Sequence, residues 1–98
     1  MKEEFVSVVE YRRCPDGSVG TRLLWGGWTD VGSLVGLGRS LSRDVGAGVR
    51  AVLARRERWG LVGWACLYEE GVPVREENGK VDGLSFLEAL MGEGSVRD

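Results

Sequence analysis

Residues 44–60 read DVGAGVRAVLARRERWG, and the structure of this segment decides the fold. Its apolar side chains recur at helical spacing, at Val45, Val49, Val52 and Leu53. Asp44 is a favourable N-cap residue, and Gly60 is a favourable residue to end a helix. The segment is therefore predicted to be a central helix.

A β-hairpin is predicted before this segment. The runs from Phe5 to Arg13 and from Val19 to Trp25 are rich in valine and aromatic residues, which favour strands. Between them, Pro15 presets φ, and Gly17 can adopt the left-handed conformation that a tight turn requires. The two strands are therefore expected to pair in antiparallel fashion.

A glycine-rich segment links this hairpin to the predicted central helix. It holds seven glycines between residues 25 and 48, and each glycine disfavours an interior helical position by about 1 kcal/mol relative to alanine. Apolar residues nevertheless share one side at helical spacing: Val31, Leu34, Val35, Leu37 and Leu41. A further helix is therefore predicted here, with Thr29 or Asp30 as its N-cap.

Residues 61–81 return to strand character and predict a second hairpin. Turn signals occur at Glu70–Gly71 and at Asn78–Gly79. Pro73 has no amide hydrogen to donate to a sheet ladder, so its strand is placed at a sheet edge.

The C-terminal segment predicts a short helix. Ser85 and Glu88 have the spacing of a capping box, and Gly92 ends the helical pattern. Three apolar residues share one face of this helix: Leu84, Leu87 and Met91. The last residues, 93–98, are predicted to be frayed.

Together these elements predict one α+β domain over residues 1–98. It contains antiparallel hairpins, one or two central helices and a C-terminal helix, with the helices covering one sheet face. The 98 residues are 43% hydrophobic and 29% charged, a composition typical of globular domains rather than of disordered or membrane-spanning chains.

Composition argues against several kinds of site. The chain has no histidine and only two cysteines, too few ligands for a zinc site. Cys14 lies beside a turn and is expected to be exposed, whereas Cys66 is expected in the core, and neither has an identifiable base. No catalytic, metal or cofactor residue is predicted. Because the start MKEEF lacks the basic region of a signal peptide, we expect a cytoplasmic protein with reduced thiols.

A dinucleotide-binding pattern is present but lacks its usual context. GAGVRA at residues 46–51 fits G-x-G-x-x-A, and Glu69 follows at a distance suited to a ribose contact. The fingerprint requires a strand before its first glycine, whereas the preceding GRSLSRDV is polar. We therefore predict no dinucleotide site.

The arginines of the predicted central helix allow two interpretations. Residues 39–58 hold six arginines and two acids, a local charge of +4 that suits a phosphate backbone. On a helix, however, Arg50 points away from Arg55 and Arg58, so no arginine stripe forms. We favour structural roles or contact with an acidic protein surface, and nucleic-acid binding is the alternative.

The chain contains four tryptophans, Trp25, Trp28, Trp59 and Trp64. Most are expected in the core, but Trp28 follows the Gly26–Gly27 pair and is predicted to be exposed, as in binding hot spots. We therefore predict a small non-enzymatic protein-binding module, an inhibitor or accessory factor such as phages and mobile elements encode. It would occlude or bridge a partner protein, with homo-oligomerisation as a further option and no role at a membrane. The predicted partner-binding residues are Trp25, Trp28, Arg50, Arg55 and Arg58.

Overall fold

A computed structural model describes residues 3–43 and 46–92, which form five strands and two helices. In chain order they are β1 (Glu4–Arg13), β2 (Val19–Thr29), α1 (Leu34–Leu41), β3 (Val49–Arg56), β4 (Leu61–Glu69), β5 (Val72–Val81) and α2 (Gly83–Met91). The strands form one antiparallel sheet in the order β2-β1-β3-β4-β5. This arrangement is consistent with the predicted α+β class, and it places β2 and β5 at the two edges.

The first hairpin forms as predicted, but its second strand is longer than expected. Gly17 adopts a φ of 89° in the turn, and β1 pairs with β2 along its whole length. Trp25 was expected to end this strand because of the following glycine pair. Instead β2 continues through Gly26 and Gly27 to Thr29, so the glycine pair does not interrupt the sheet.

The predicted central helix is wrong, because residues 49–56 form β3 in the middle of the sheet. Ala51 and Leu53 point to one face of the sheet, whereas Val52 and Ala54 point to the other, and all four are buried. A strand buried on both faces does not alternate between apolar and polar residues. Its continuous apolar run therefore also contains apolar residues three and four positions apart, which is the spacing expected of a helix. The proposed N-cap, Asp44, lies outside the described residues.

The two helices pack on opposite faces of the sheet, which corrects the expectation that they share one face. On the first face, here the α1 face, Leu34 and its helix neighbours pack against residues that include Val52 and Trp64. On the second, the α2 face, Phe86 and Leu90 pack against residues that include Leu53. Apolar residues on both sides of β3 and β4 require this two-sided cover.

Small residues let α1 approach the sheet closely. A Cβ added at Gly38 would lie 2.7 Å from Cζ3 of Trp64, and Leu34 packs directly over Gly63. The helix starts later than the sequence indicated, because Ser33 is the N-cap and its hydroxyl accepts the amide hydrogen bond of Val35 at 3.2 Å. Thr29 and Asp30 therefore do not cap α1.

The turn after β4 matches the prediction, whereas the second predicted turn does not. Glu70 and Gly71 have positive φ values of 52° and 80°, and they join β4 to β5. Asn78 and Gly79 lie inside β5, where the pairing with β4 changes register. Pro73 lies in β5 at the sheet edge, as predicted.

Helix α2 closes the described part of the chain. Its N-cap is Asp82, which accepts the amide hydrogen bond of Leu84 at 3.1 Å, rather than the predicted Ser85. Gly92 ends the helix in a left-handed conformation, as predicted. The predicted fraying concerns residues 93–98, which lie outside the described residues.

Candidate protein-binding face

An exposed apolar strip runs across β1 and β2 on the α2 face. Trp28 is 68% exposed and Leu23 is 62% exposed. The ring of Phe5 meets that of Trp28 edge to face, with centroids 5.7 Å apart. We call Phe5, Leu23, Gly26 and Trp28 the apolar strip.

Gly26 makes the strip continuous. A Cβ at this position would lie 3.5 Å from Cδ2 of Leu23 and 3.8 Å from Cζ of Phe5. Both side chains therefore lie over the glycine, and no side chain separates them. Because Phe5 pairs with Trp28 and Ser7 pairs with Gly26, the register of the hairpin sets this arrangement.

The strip is exposed because α2 covers a different part of the same face. The main contacts of α2 are with β1, β3 and β4. Its side chain Ser85 accepts a hydrogen bond from Arg75 of β5 at 2.7 Å, which shows that this side of the helix faces the β5 edge. The helix thus leaves Leu23 and Trp28 of β2 exposed, whereas Val19 at the start of β2 packs against the cluster beneath the helix.

The outer surface of α2 adds further apolar area. Leu84 and Met91 are seven residues apart, share one side of the helix and are both more than half exposed. Leu87 lies about 160° from Ser85 around the helix axis and therefore points away from the β5 edge. Helix α2 is thus apolar on part of its exposed side as well as on its buried side.

A polar group borders the strip on β1 and β3. The hydroxyl of Ser7 donates a hydrogen bond to Oε2 of Glu57, and Nε of Arg55 lies 3.8 Å from the same oxygen. The backbone amide of Glu57 donates to the carbonyl of Phe5 at 3.0 Å. An apolar centre beside a partly exposed ion pair resembles the core and rim of protein interfaces.

The two tryptophans predicted to bind a partner lie on opposite faces. Trp25 pairs with Val8 and packs against the core beneath α1. Trp28 is exposed, in agreement with its sequence context, although a strand rather than a loop holds it. Its role in binding stays a prediction, and Trp25 is not part of the same surface.

The three predicted arginines are also separated. Arg50 is only 8% exposed and points to the α1 face, where its Nε lies 3.1 Å from Oε2 of Glu10. Arg55 points to the α2 face. Arg58 lies in the turn after β3, with its guanidinium 5.0 Å from the ring centre of Trp59. Since residues 49–56 form a strand, the helix on which the nucleic-acid alternative depended is absent.

Among the described residues, the α1 face includes a larger and a smaller cleft. The larger, about 370 Å³, is lined by the start of α1 together with Arg56 and Lys80. The smaller, about 280 Å³, contains Cys66 and Tyr68. Burial raises the pKa of the Cys66 thiol and raises the pKa of Tyr68 to about 12, so both groups are protonated at neutral pH.

The comparisons with known proteins identify no relative of this chain, and the described residues suggest no bound metal. The chain matches no family model, no curated protein and no solved structure. Within residues 3–43 and 46–92, no group of three or more histidine, cysteine or acidic side chains is placed to hold a metal ion. In the same residues, neither helix is long and apolar enough to cross a membrane.

Sequence reasoning missed Phe5 and Leu23 as members of the strip. Leu23 and Trp28 are five residues apart, so strict strand alternation assigns them to different faces. The pairing of β2 with β1 shifts between Val8 and Val9, and this irregularity returns both residues to one face. The sequence did show that two large apolar residues, Leu23 and Trp28, lie in one hairpin. Because of the bulge, however, their spacing did not show that they point to the same face.

Proposed function

We propose that the protein is a small protein-binding module that contacts its partner through the apolar strip. The observation that carries this proposal is the pair of exposed residues Leu23 and Trp28, joined by the partly buried ring of Phe5 and held on the sheet. Exposed tryptophan held on a rigid element is typical of the residues that dominate binding energy. Contiguous exposed apolar surface of this kind marks interaction sites more often than isolated apolar residues do.

The proposed mode of action is occlusion or bridging of a partner surface, as an inhibitor or accessory factor. The apolar centre would become desolvated on binding, and the neighbouring Arg55 and Glu57 would remain at a polar rim. The strip contains no acid or base at its centre, and its shape is an open surface rather than an enclosed pocket. These features suit contact with another protein better than turnover of a small substrate.

The test compares partner capture by the wild-type chain and two variants. Trp28→Ala removes the centre of the strip, whereas Trp59→Ala removes an exposed ring from the β3–β4 turn and serves as the matched control. A partner captured from the native host by the wild type and by Trp59→Ala, but not by Trp28→Ala, is the expected result. With that partner purified, Trp28→Ala should weaken binding by about 2 kcal/mol or more.

Equal capture by all three proteins would contradict the proposal. Loss of binding in both variants would show that the contact is not confined to the apolar strip and extends to the β3–β4 turn. Circular dichroism and thermal melting of each variant establish that binding, rather than folding, is compared.

A further inference from the structure

The outer edge of β2 has no neighbouring strand among residues 3–43 and 46–92. This strand is eleven residues long, about twice the usual length of a strand in globular proteins. The backbone groups that point away from β1 can therefore pair with another strand, which is the usual hazard of an open sheet edge.

The two edges of the sheet differ in their protection. Edge strand β5 contains Pro73 and four charged residues, Arg75, Glu76, Glu77 and Lys80, and proline and charges are the usual means of preventing edge pairing. Edge strand β2 contains no proline and a single charged residue, Arg22. It also displays Leu23 and Trp28. The β5 edge is therefore protected by proline and several charges, whereas β2 has only one charge and the bulge at Leu24.

We propose that β2 pairs with β2 of a second copy of this chain, in antiparallel orientation around a two-fold axis perpendicular to the sheet. Charge along the strand favours this partner and this direction. Arg22, which contacts Glu10 of its own chain at 3.3 Å but is 67% exposed, lies in the first half of β2, and Asp30 directly follows the end of the strand. Antiparallel pairing brings the Arg22 end of one strand towards the Asp30 end of the other, and the two-fold axis repeats this contact.

The dimer joins the two apolar strips. A two-fold axis perpendicular to a sheet keeps equivalent faces on the same side, so both α2 faces point in one direction. Leu23 and Trp28 of the two copies then lie on neighbouring strands, and an α2 helix stands on each side. The second copy thus completes a wider apolar floor between two helices. This inference rests on the strand edge and is tested separately from the proposed binding of another protein.

The first experiment measures association and locates it on the chain. Sedimentation velocity over micromolar to millimolar concentrations should show a monomer–dimer equilibrium. Amide hydrogen exchange of the same samples should show concentration-dependent protection of β2 amides that point away from β1, and no such change in β5. A monomer at every concentration, or a dimer whose β2 amides exchange as fast as those of the monomer, would overturn the inference.

The second experiment introduces a lysine at each edge. Leu23→Lys replaces an exposed apolar residue of the β2 edge strand with a charge in each copy, and Val74→Lys places the same charge at an exposed valine of β5. Leu23→Lys should raise the dimer dissociation constant by about tenfold or more, whereas Val74→Lys should leave it near the wild-type value. Both side chains are exposed, so both variants should fold. Unchanged association in Leu23→Lys would also overturn the inference.

Discussion

The indole Nε1 of Trp64 donates a hydrogen bond of 2.6 Å to the carboxylate of Glu76. The same carboxylate accepts two hydrogen bonds from Arg39, at 2.6 and 2.9 Å. One acidic side chain therefore connects the buried strand β4, the edge strand β5 and helix α1. The hydrogen bonds from Arg39, followed by that from Trp64, lower the pKa of Glu76 to about 2.

We predict that Glu76 contributes to stability mainly above its ordinary pKa of 4.5. Because folding lowers this pKa, the contribution is complete above pH 4.5 and declines as the pH falls towards 2. Glu76→Gln should lower the free energy of unfolding at neutral pH by about 1 kcal/mol, a modest value because Arg39 is largely exposed. The measurement is denaturant unfolding at several pH values. Glu88→Gln, at an exposed position of α2, is the control, and equal pH profiles for both variants would contradict the prediction.

The close packing of α1 predicts opposite effects of alanine at two glycines of this helix. Gly38→Ala should destabilise the protein by about 1 to 3 kcal/mol, because the new methyl group meets the Trp64 indole. Gly36 faces open space, so Gly36→Ala should stabilise it by about 0.5 to 1 kcal/mol through helix propensity. Denaturant melts of the two variants give the comparison. A stabilising Gly38→Ala would show that α1 is not seated on Trp64.

Arg50 is predicted to act in folding rather than at a binding surface. Its ion pair with Glu10 is buried, and Glu10 also lies 3.3 Å from Arg22. Arg50→Met should leave the carboxylate without its buried partner and lower the free energy of unfolding by about 3 to 5 kcal/mol. Arg58→Met, in an exposed turn, should change it by about 1 kcal/mol or less.

The double variant Glu10→Leu with Arg50→Met provides the check on this interpretation. Replacing both members of a buried pair removes the unpaired charge, so the double variant should recover much of the stability lost in Arg50→Met. No recovery would mean that Arg50 stabilises the fold through packing of its aliphatic stem instead of through its charge.

The turns and the helix end could be predicted from the sequence because local residues determine them. The strand β3 could not, because its structure depends on burial by helices on both faces of the sheet. Pro15 and Gly17 specify the first turn, Gly71 specifies the second, and Gly92 ends α2. Each acts through backbone conformation, which neighbouring residues determine. For β3, Val52 and Leu53 are both buried under different helices, and only the position of those helices distinguishes a buried strand from a helix.

Of the residues of the apolar strip, only Trp28 could be predicted from the sequence, because the others depend on long-range strand pairing. Trp28 was identified as an exposed ring, but its neighbours on the surface come from the register of β1 and β2. Phe5 is distant from Trp28 in sequence, and the bulge changes the orientation of Leu23 relative to Trp28. Arg50 was misassigned because a charged residue on an apolar segment is usually exposed, whereas here Glu10 compensates for its burial.

The two cysteines are predicted to differ in reactivity. Cys14 is partly exposed beside the first turn, and Cys66 is buried in the sheet. Burial raises the pKa of Cys66, so both access and thiolate formation are unfavourable there. A thiol reagent at neutral pH should modify one cysteine in the native protein and two after denaturation. Cys14→Ser should remove the fast reaction, and fast modification of that variant would contradict the assignment.

The last prediction concerns the energetic difference between Trp64 and Trp28. Trp64 is fully buried beneath α1 and donates a hydrogen bond to Glu76, so Trp64→Ala should lower the free energy of unfolding by about 3 to 5 kcal/mol. Trp28 is mostly exposed and contacts Phe5 at the sheet edge, so Trp28→Ala should lower it by only about 1 kcal/mol. Chemical denaturation followed by circular dichroism measures both changes without relying on tryptophan fluorescence. If Trp28→Ala were as destabilising as Trp64→Ala, Trp28 would be a structural residue of the hairpin, and the apolar strip would lose its basis as a binding surface.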